Sequence, residues 1–112
     1  MALARQLDKA TMLERLGGDE DILREVAQLY LQESENYCRK LADAQASGVV
    51  ANLQRVAHTL KGLFATFVDE DGVVLALNLE LALKAGRQAE AEAGVAQLQG
   101  RVRDLAALLR AT

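Results

Sequence analysis

The spacing of apolar residues is the feature that most constrains the fold of this chain, because they recur three and four positions apart through long stretches. Such spacing places apolar side chains on one face of an α-helix. The chain contains no proline, and its apolar residues are mostly Leu, Ala and Val. A β-rich fold of this size normally needs turn prolines and many β-branched strand residues. The sequence therefore predicts an all-α fold.

Glycines and short polar clusters divide the chain into five predicted helices. Asp19 is suited to cap the start of the second helix, since a side-chain oxygen can accept the free backbone N–H groups there. The third helix is expected over 50–68, with Val49 in the place where a capping residue would normally stand. The breaks between the predicted helices are Gly17-Gly18, Ser47-Gly48, the acidic cluster 69–72 and Gly86.

Four longer amphipathic helices with short connections predict an antiparallel four-helix bundle, with a short additional N-terminal helix. We expect one domain over residues 1–112 and a monomer, because the apolar faces can close on one another. The second and third helices are expected to be longer than the last two. The apolar faces of these two helices are predicted to contain Ile22, Val26, Leu29, Tyr30, Leu53, Val56, Ala57, Leu60, Phe64 and Phe67.

Charge and cysteine content exclude several functional classes. The net charge is −3 and the basic residues are scattered, which argues against nucleic-acid binding. The chain has no apolar run long enough for a membrane span and no signal-peptide layout at its start, so we expect a cytoplasmic location without membrane contact. Cys38 is the single cysteine, which excludes an intrachain disulfide and a multi-thiolate metal site. A Cys38–His58 nucleophile pair is disfavoured, because Tyr37 and Leu41 place Cys38 at the border of the core.

The single histidine of the chain lies in the segment "AHTLKG", residues 57–62, on the third predicted helix. Arg55, Lys61 and Gly62 share its face, and the apolar residues point largely the other way, so His58 is expected on the solvent side. Glycine inside a helix costs about 1 kcal/mol relative to alanine, and no turn explains it here. A surface histidine without function is the simple alternative. Exposure, a bare backbone and a neighbouring cation are, however, what a phosphate-accepting histidine needs.

The segment "AHTLKG" resembles the signature of histidine-containing phosphotransfer (HPt) domains of bacterial phosphorelays. Two flanking segments, "LERLGGDEDILREVAQLYLQES" and "ALNLELALKAG", resemble the start of that domain and the part that follows its active helix. The resemblance covers about residues 8–112. It implies a phosphorelay intermediate, which carries a phosphoryl group between receiver domains and is not an autonomous enzyme.

The resemblance also implies a role for individual residues. His58 would carry the phosphoryl group on its outward ring nitrogen, Lys61 would stabilise the phosphate charge, and Gly62 would leave room for the partner. Glu80 would accept a hydrogen bond from the other ring nitrogen and fix the tautomer. The alternative for Glu80 is a solvated helix residue. The face that contacts the partner is expected to include Arg55, Leu63 and Lys84.

The implied partner is the receiver domain of a response regulator, of a hybrid sensor histidine kinase, or of both. The receiver would supply Mg²⁺, and the chain is expected to have no cofactor of its own. Leu63 departs from the family, which usually has a small residue there; it can contact a partner or fill a gap in the core. The sequence at 67–69 replaces a Leu-Gly-Ala turn that the family often has. A helical module that regulates a partner by binding, without phosphorylation, remains the alternative function.

Overall fold

The structure, a computed structural model, describes residues 7–111. Helix α2 packs against α3 and α5, and α4 packs against the same two helices, so the four long helices enclose one core. The short helix α1 contacts α2. The predicted all-α class and the antiparallel four-helix bundle are confirmed. The helices are α1 (Lys9–Arg15), α2 (Glu20–Ser47), α3 (Val50–Thr66), α4 (Glu70–Ala85) and α5 (Gln88–Ala111).

The ends of α2 follow the residues that the sequence indicated. The carboxylate of Asp19 accepts hydrogen bonds from the backbone N–H groups of Asp21 and Ile22, which have no partner within the helix. Gly48 ends the helix in the left-handed conformation, with φ of 71°. Val49 precedes α3 and makes no side-chain capping bond, as expected.

The connection between α3 and α4 differs from the prediction. Helix α3 ends at Thr66, two residues before the expected end at Val68, and Val68 has a positive φ of 54°. The acidic cluster that was expected only to break α3 instead begins α4. Asp69 caps the new helix by accepting a hydrogen bond from the backbone N–H of Gly72, at 3.3 Å. The two acidic residues after Asp69 lie in the first turn, where the helix dipole favours negative charge.

The apolar face predicted for α3 is confirmed, but the face predicted for α2 is partly wrong. Ile22 and Leu29 are 42% and 61% exposed, whereas Leu23 is buried. The buried face of α2 includes a serine, Ser34, whose hydroxyl donates to the backbone oxygen of Leu31 at 3.2 Å. Because that local bond satisfies the hydroxyl, a polar residue fits on the buried face. The predicted face of α2 is therefore correct at Tyr30, which is buried, and wrong at Ile22 and Leu29.

The relative lengths of the helices also differ from the prediction. Helices α2 and α5 have 28 and 24 residues, whereas α3 and α4 have 17 and 16. Gly94 and Gly100, which weaken a helix locally, both lie inside α5. Gly94 is buried where α5 approaches Leu79 of α4, so its small size serves packing. The two shorter helices, α3 and α4, are consecutive neighbours in the bundle.

Cys38 lies in the core, further inside than the border position that its sequence neighbours indicated. Its side chain is buried and its Sγ lies 3.6 Å from the backbone oxygen of Gln99 on α5. Burial raises the pKa of the thiol. These properties are those of a structural cysteine rather than a nucleophile.

None of the helices within residues 7–111 combines the length and the apolar character needed to cross a membrane. In the same part of the chain, no group of three or more His, Cys, Asp or Glu side chains is arranged to hold a metal ion.

Candidate functional site

A shallow groove of about 560 Å³ lies between α3 and α4. Three of the predicted site residues, His58, Lys61 and Glu80, line it, together with the two basic residues that were expected on the docking face. The α3 side is lined by Ala51, Gln54, Arg55, His58, Thr59 and Lys61, and the α4 side by Leu77, Glu80, Leu81 and Lys84.

His58 projects outward from α3 and lines the groove. Its neighbours Ala57 and Leu60 are fully buried, so the packing of α3 turns His58 outward. The side chain is 74% exposed, which confirms the predicted solvent position. The ring nitrogen Nδ1 lies 3.4 Å from Glu80 Oε2. The other ring nitrogen, Nε2, is therefore the one that faces away from the carboxylate.

Glu80 is held between two partners. Its side chain is 23% exposed, and its Oε1 lies 2.7 Å from the ammonium of Lys61. Burial raises the pKa of Glu80, but the contacts with Lys61 and then His58 lower it more, so the net pKa lies below the ordinary value. Glu80 is thus an ionised, paired carboxylate, and the alternative of a solvated helix residue does not fit.

Lys61 is paired within the site. Its side chain is 30% exposed and its ammonium lies on the Glu80 carboxylate. Lys61 and Glu80 thus form one unit that faces Nδ1 of His58. The predicted contact of Lys61 with a phosphate stays a prediction.

Gly62 presents bare backbone next to the histidine. A Cβ built at this position meets no other atom within 4 Å, and the residue is exposed. Packing within the bundle therefore does not require glycine here. The absence of a side chain instead leaves open space that a partner surface can use.

The sequence left two alternatives for Leu63, contact with a partner or packing in the core. Its side chain is partly buried and packs against the core cluster. It does not line the groove that contains His58. The structure therefore favours the packing role.

Sequence reasoning missed an apolar strip on α4 beside the groove. Val74, Leu77 and Leu81 are 52%, 41% and 54% exposed, and the two leucines line the groove itself. A signal was present in the segment "GVVLALNLELALKA", which has more Leu, Val and Ala than one helix face can hold. Some of these residues had to remain in contact with solvent.

The fold and the site agree with the comparison to known families. The family model described as the Hpt domain matches residues 25–111, so this chain belongs to the Hpt domain family. Membership implies a phosphotransfer role in two-component signalling, as a phosphoryl carrier rather than a catalyst. Domains of this family interact with receiver domains of response regulators or kinases. Comparisons with curated proteins and with solved structures gave no significant match.

Proposed function

We propose that this domain is a phosphorelay intermediate. His58 accepts a phosphoryl group from the aspartyl phosphate of one receiver domain and passes it to an aspartate of another. The supporting observation is an exposed imidazole whose Nδ1 faces a paired carboxylate, 3.4 Å away, in a bundle of the HPt family.

The contact with Glu80 selects the nucleophilic nitrogen. When the carboxylate accepts a hydrogen bond from the Nδ1 proton, the lone pair of the ring resides on Nε2. Nε2 then attacks phosphorus in line, the bond between phosphorus and the aspartate oxygen breaks, and its electron pair returns to the aspartate carboxylate. The ring becomes cationic on phosphorylation, and Glu80 stabilises the proton that stays on Nδ1. Return of the group to a second aspartate follows the same path in reverse.

This transfer depends mainly on position and charge neutralisation, because its transition state is loose. The Mg²⁺ that neutralises charge on the transferring group is bound by the receiver, and this chain adds no cofactor. Arg55 and Lys84 make the groove rim basic, which suits the acidic site of a receiver and favours encounter at low salt. Leu77 and Leu81 offer apolar contact area for a modest, transient interface. We place the relay in the cytoplasm, with the receiver on a response regulator or a hybrid kinase.

The proposal is tested by incubating the protein with phosphorylated receiver domains and Mg²⁺, followed by intact mass and acid-lability measurements. We expect a gain of one acid-labile phosphate that is lost in His58→Ala. The variant should keep the helical circular dichroism of the parent, because the side chain is 74% exposed.

Phosphate retained by His58→Ala would contradict the assigned position. A folded parent that gains no phosphate from any receiver would instead favour a module that acts by binding alone.

A further inference from the structure

Three cations line the groove, but only one of them is paired. The ammonium of Lys61 lies 2.7 Å from Glu80 Oε1. Arg55 and Lys84 are exposed, and within residues 7–111 neither makes an ion pair or a hydrogen bond through its side chain. Two positive charges are therefore free to meet an anion in the groove.

The buried oxygen of Glu80 favours the present position of the Lys61 ammonium. Glu80 Oε1 is buried, and the Lys61 ammonium at 2.7 Å is its one polar neighbour among the contacts of the described residues. The Lys61 ammonium is thus the group that compensates this oxygen. Moving it to a phosphate would leave a buried carboxylate oxygen without a partner, which is unfavourable. We expect Lys61 to remain on Glu80 when the histidine is phosphorylated.

Arg55 and Lys84 lie on one side of His58 along the groove, and Lys61 lies on the other side. Side chains on a helix lean toward its N-terminus, so His58 covers the preceding turn of α3, which carries Arg55. Helices α3 and α4 run in opposite directions, and Glu80 faces His58 across the groove. Lys84, one turn further along α4, therefore faces that same preceding turn of α3. Both residues line the groove with His58.

We propose that Arg55 and Lys84 hold the phosphoryl group on His58 Nε2, whereas Lys61 acts on the ring only through Glu80. This inference rests on the proposed function. A phosphoryl group brings negative charge and strong acceptor oxygens. Arginine can meet two of these oxygens with its planar fork, and lysine meets them as a point charge. Arg55 and Lys84 are then binding residues for the carried group, and Lys61 is a positioning residue.

The test uses phosphoramidate as the phosphoryl donor, so that receiver docking does not enter. The P–N bond of phosphoramidate breaks, ammonia leaves with its electron pair, and the bond from phosphorus to Nε2 forms. Phosphorus NMR then follows the phosphohistidine signal as the pH is varied. The variants are Arg55→Gln, Lys84→Gln, the double variant and Lys61→Gln. Arg39→Gln is the control, because Arg39 is exposed on α2 and bonds to Asn36.

Positive charge near the phosphoryl group favours its dianion and lowers the midpoint of its titration. We expect the midpoint to rise by a few tenths of a pH unit in Arg55→Gln and in Lys84→Gln, and further in the double variant. Arg39→Gln should not change it. Lys61→Gln should change the nitrogen chemical shifts of the unphosphorylated imidazole, which report the tautomer, with a smaller effect on the phosphoryl midpoint.

A midpoint unchanged in the double variant, or raised mainly by Lys61→Gln, would overturn the inference and leave the proposed function standing. Failure of the parent to become phosphorylated, or phosphorylation that persists in His58→Ala, would overturn the proposed function and the inference with it.

Discussion

At the scale of single residues, the Glu80 carboxylate organises the candidate site. Its two oxygens serve different neighbours, since Oε1 faces the ammonium of Lys61 and Oε2 faces His58 Nδ1. The orientation of the imidazole therefore depends on a residue 22 positions away on another helix. Such a partner fixes which ring nitrogen carries the proton, and hence which one can attack.

The lowered pKa of Glu80 makes a testable contribution to stability. Burial raises this pKa, but Lys61 and His58 lower it more, so the native state binds the proton less tightly than the unfolded chain. The contribution is present above the unfolded pKa and is lost as pH falls through the lower native pKa. Urea unfolding of the parent and of Glu80→Gln gives the free energy of unfolding of each protein. The difference between the two values should shrink as the pH falls from about 5 to about 2. A difference independent of pH would contradict the assignment.

Gly62 is expected to weaken the helix for the sake of access. Because a Cβ there meets nothing within 4 Å, Gly62→Ala should raise the free energy of unfolding by about 1 kcal/mol. Gly62→Leu should stay folded but slow phosphoryl transfer from a receiver, by obstructing its approach. Urea unfolding and transfer kinetics measure the two effects. A Gly62→Ala variant less stable than the parent, or unchanged transfer in Gly62→Leu, would refute the role of Gly62 in giving the partner access.

Val68 adopts a conformation that disfavours its side chain. Its φ is 54°, a left-handed value that costs an L-residue about 1–2 kcal/mol. HPt domains often have glycine at the corresponding place in the turn. Val68→Gly should therefore be more stable than Val68→Ala by about 1 kcal/mol, since both variants remove the outer methyl groups. Equal stability in thermal or urea unfolding would show that the backbone there is not strained.

At the scale of helices, the close approach of α3 and α4 sets the groove. Phe64 of α3 is fully buried, and its ring lies directly over Gly72 in the first turn of α4. A side chain at Gly72 would enter the space of this ring. The glycine thus allows the start of α4 to pack against α3, and the register that follows brings Glu80 to His58.

Gly72→Ala is expected to destabilise the bundle. The added Cβ would overlap the Phe64 ring, and overpacking of this kind costs about 1–3 kcal/mol. Urea unfolding measures the loss, and Gly62→Ala on α3 is the matched control with the opposite expected sign. A Gly72→Ala variant as stable as the parent would mean that the two helices can separate without loss.

At the scale of the whole molecule, a buried ion pair connects the turn before α4 to α5. Arg101 donates from Nε to Asp69 Oδ2 at 2.8 Å and from Nη2 to Oδ1 at 2.7 Å. The Asp69 side chain is 1% exposed. Nearby, the hydroxyl of Tyr30 on α2 donates to the backbone oxygen of Val102 on α5, at 2.9 Å. Burial and then the Asp69 charge raise the pKa of Tyr30, so the hydroxyl stays protonated. The ion pair fixes the α3–α4 connection to α5, and the Tyr30 hydrogen bond joins α2 to α5.

Two arginines of α5 each form a two-bond contact with a carboxylate, one buried and one exposed. Comparing them measures how much burial adds to the contribution of the pair to stability. Arg101→Gln leaves the Asp69 carboxylate buried without its charged partner and should cost about 3–5 kcal/mol. Arg103 makes a comparable two-bond contact with Glu35, but both side chains are exposed, so Arg103→Gln should change stability little. Urea unfolding at one pH compares the two. Equal losses would show that burial of the pair is unimportant.

The local sequence determined the helices and the face of α3 that carries His58. Spacings of three and four residues, the Asp19 cap and the glycine breaks act within one or two turns, so they can be predicted without knowledge of the fold. His58 on the solvent face of its helix followed from the same local geometry. The HPt resemblance then pointed to Glu80 as its partner.

Tertiary packing decided how groups on different helices pair. The sequence did not show that Lys61 lies on Glu80, that Asp69 meets Arg101, or that Leu63 turns toward the core. It also did not show which leucines of α4 remain exposed, because that helix is apolar on several faces. Periodicity fixes the direction of a side chain only relative to its own helix. Its partner depends on the rotation and register of the neighbouring helix, which are set by contacts such as Gly72 against Phe64.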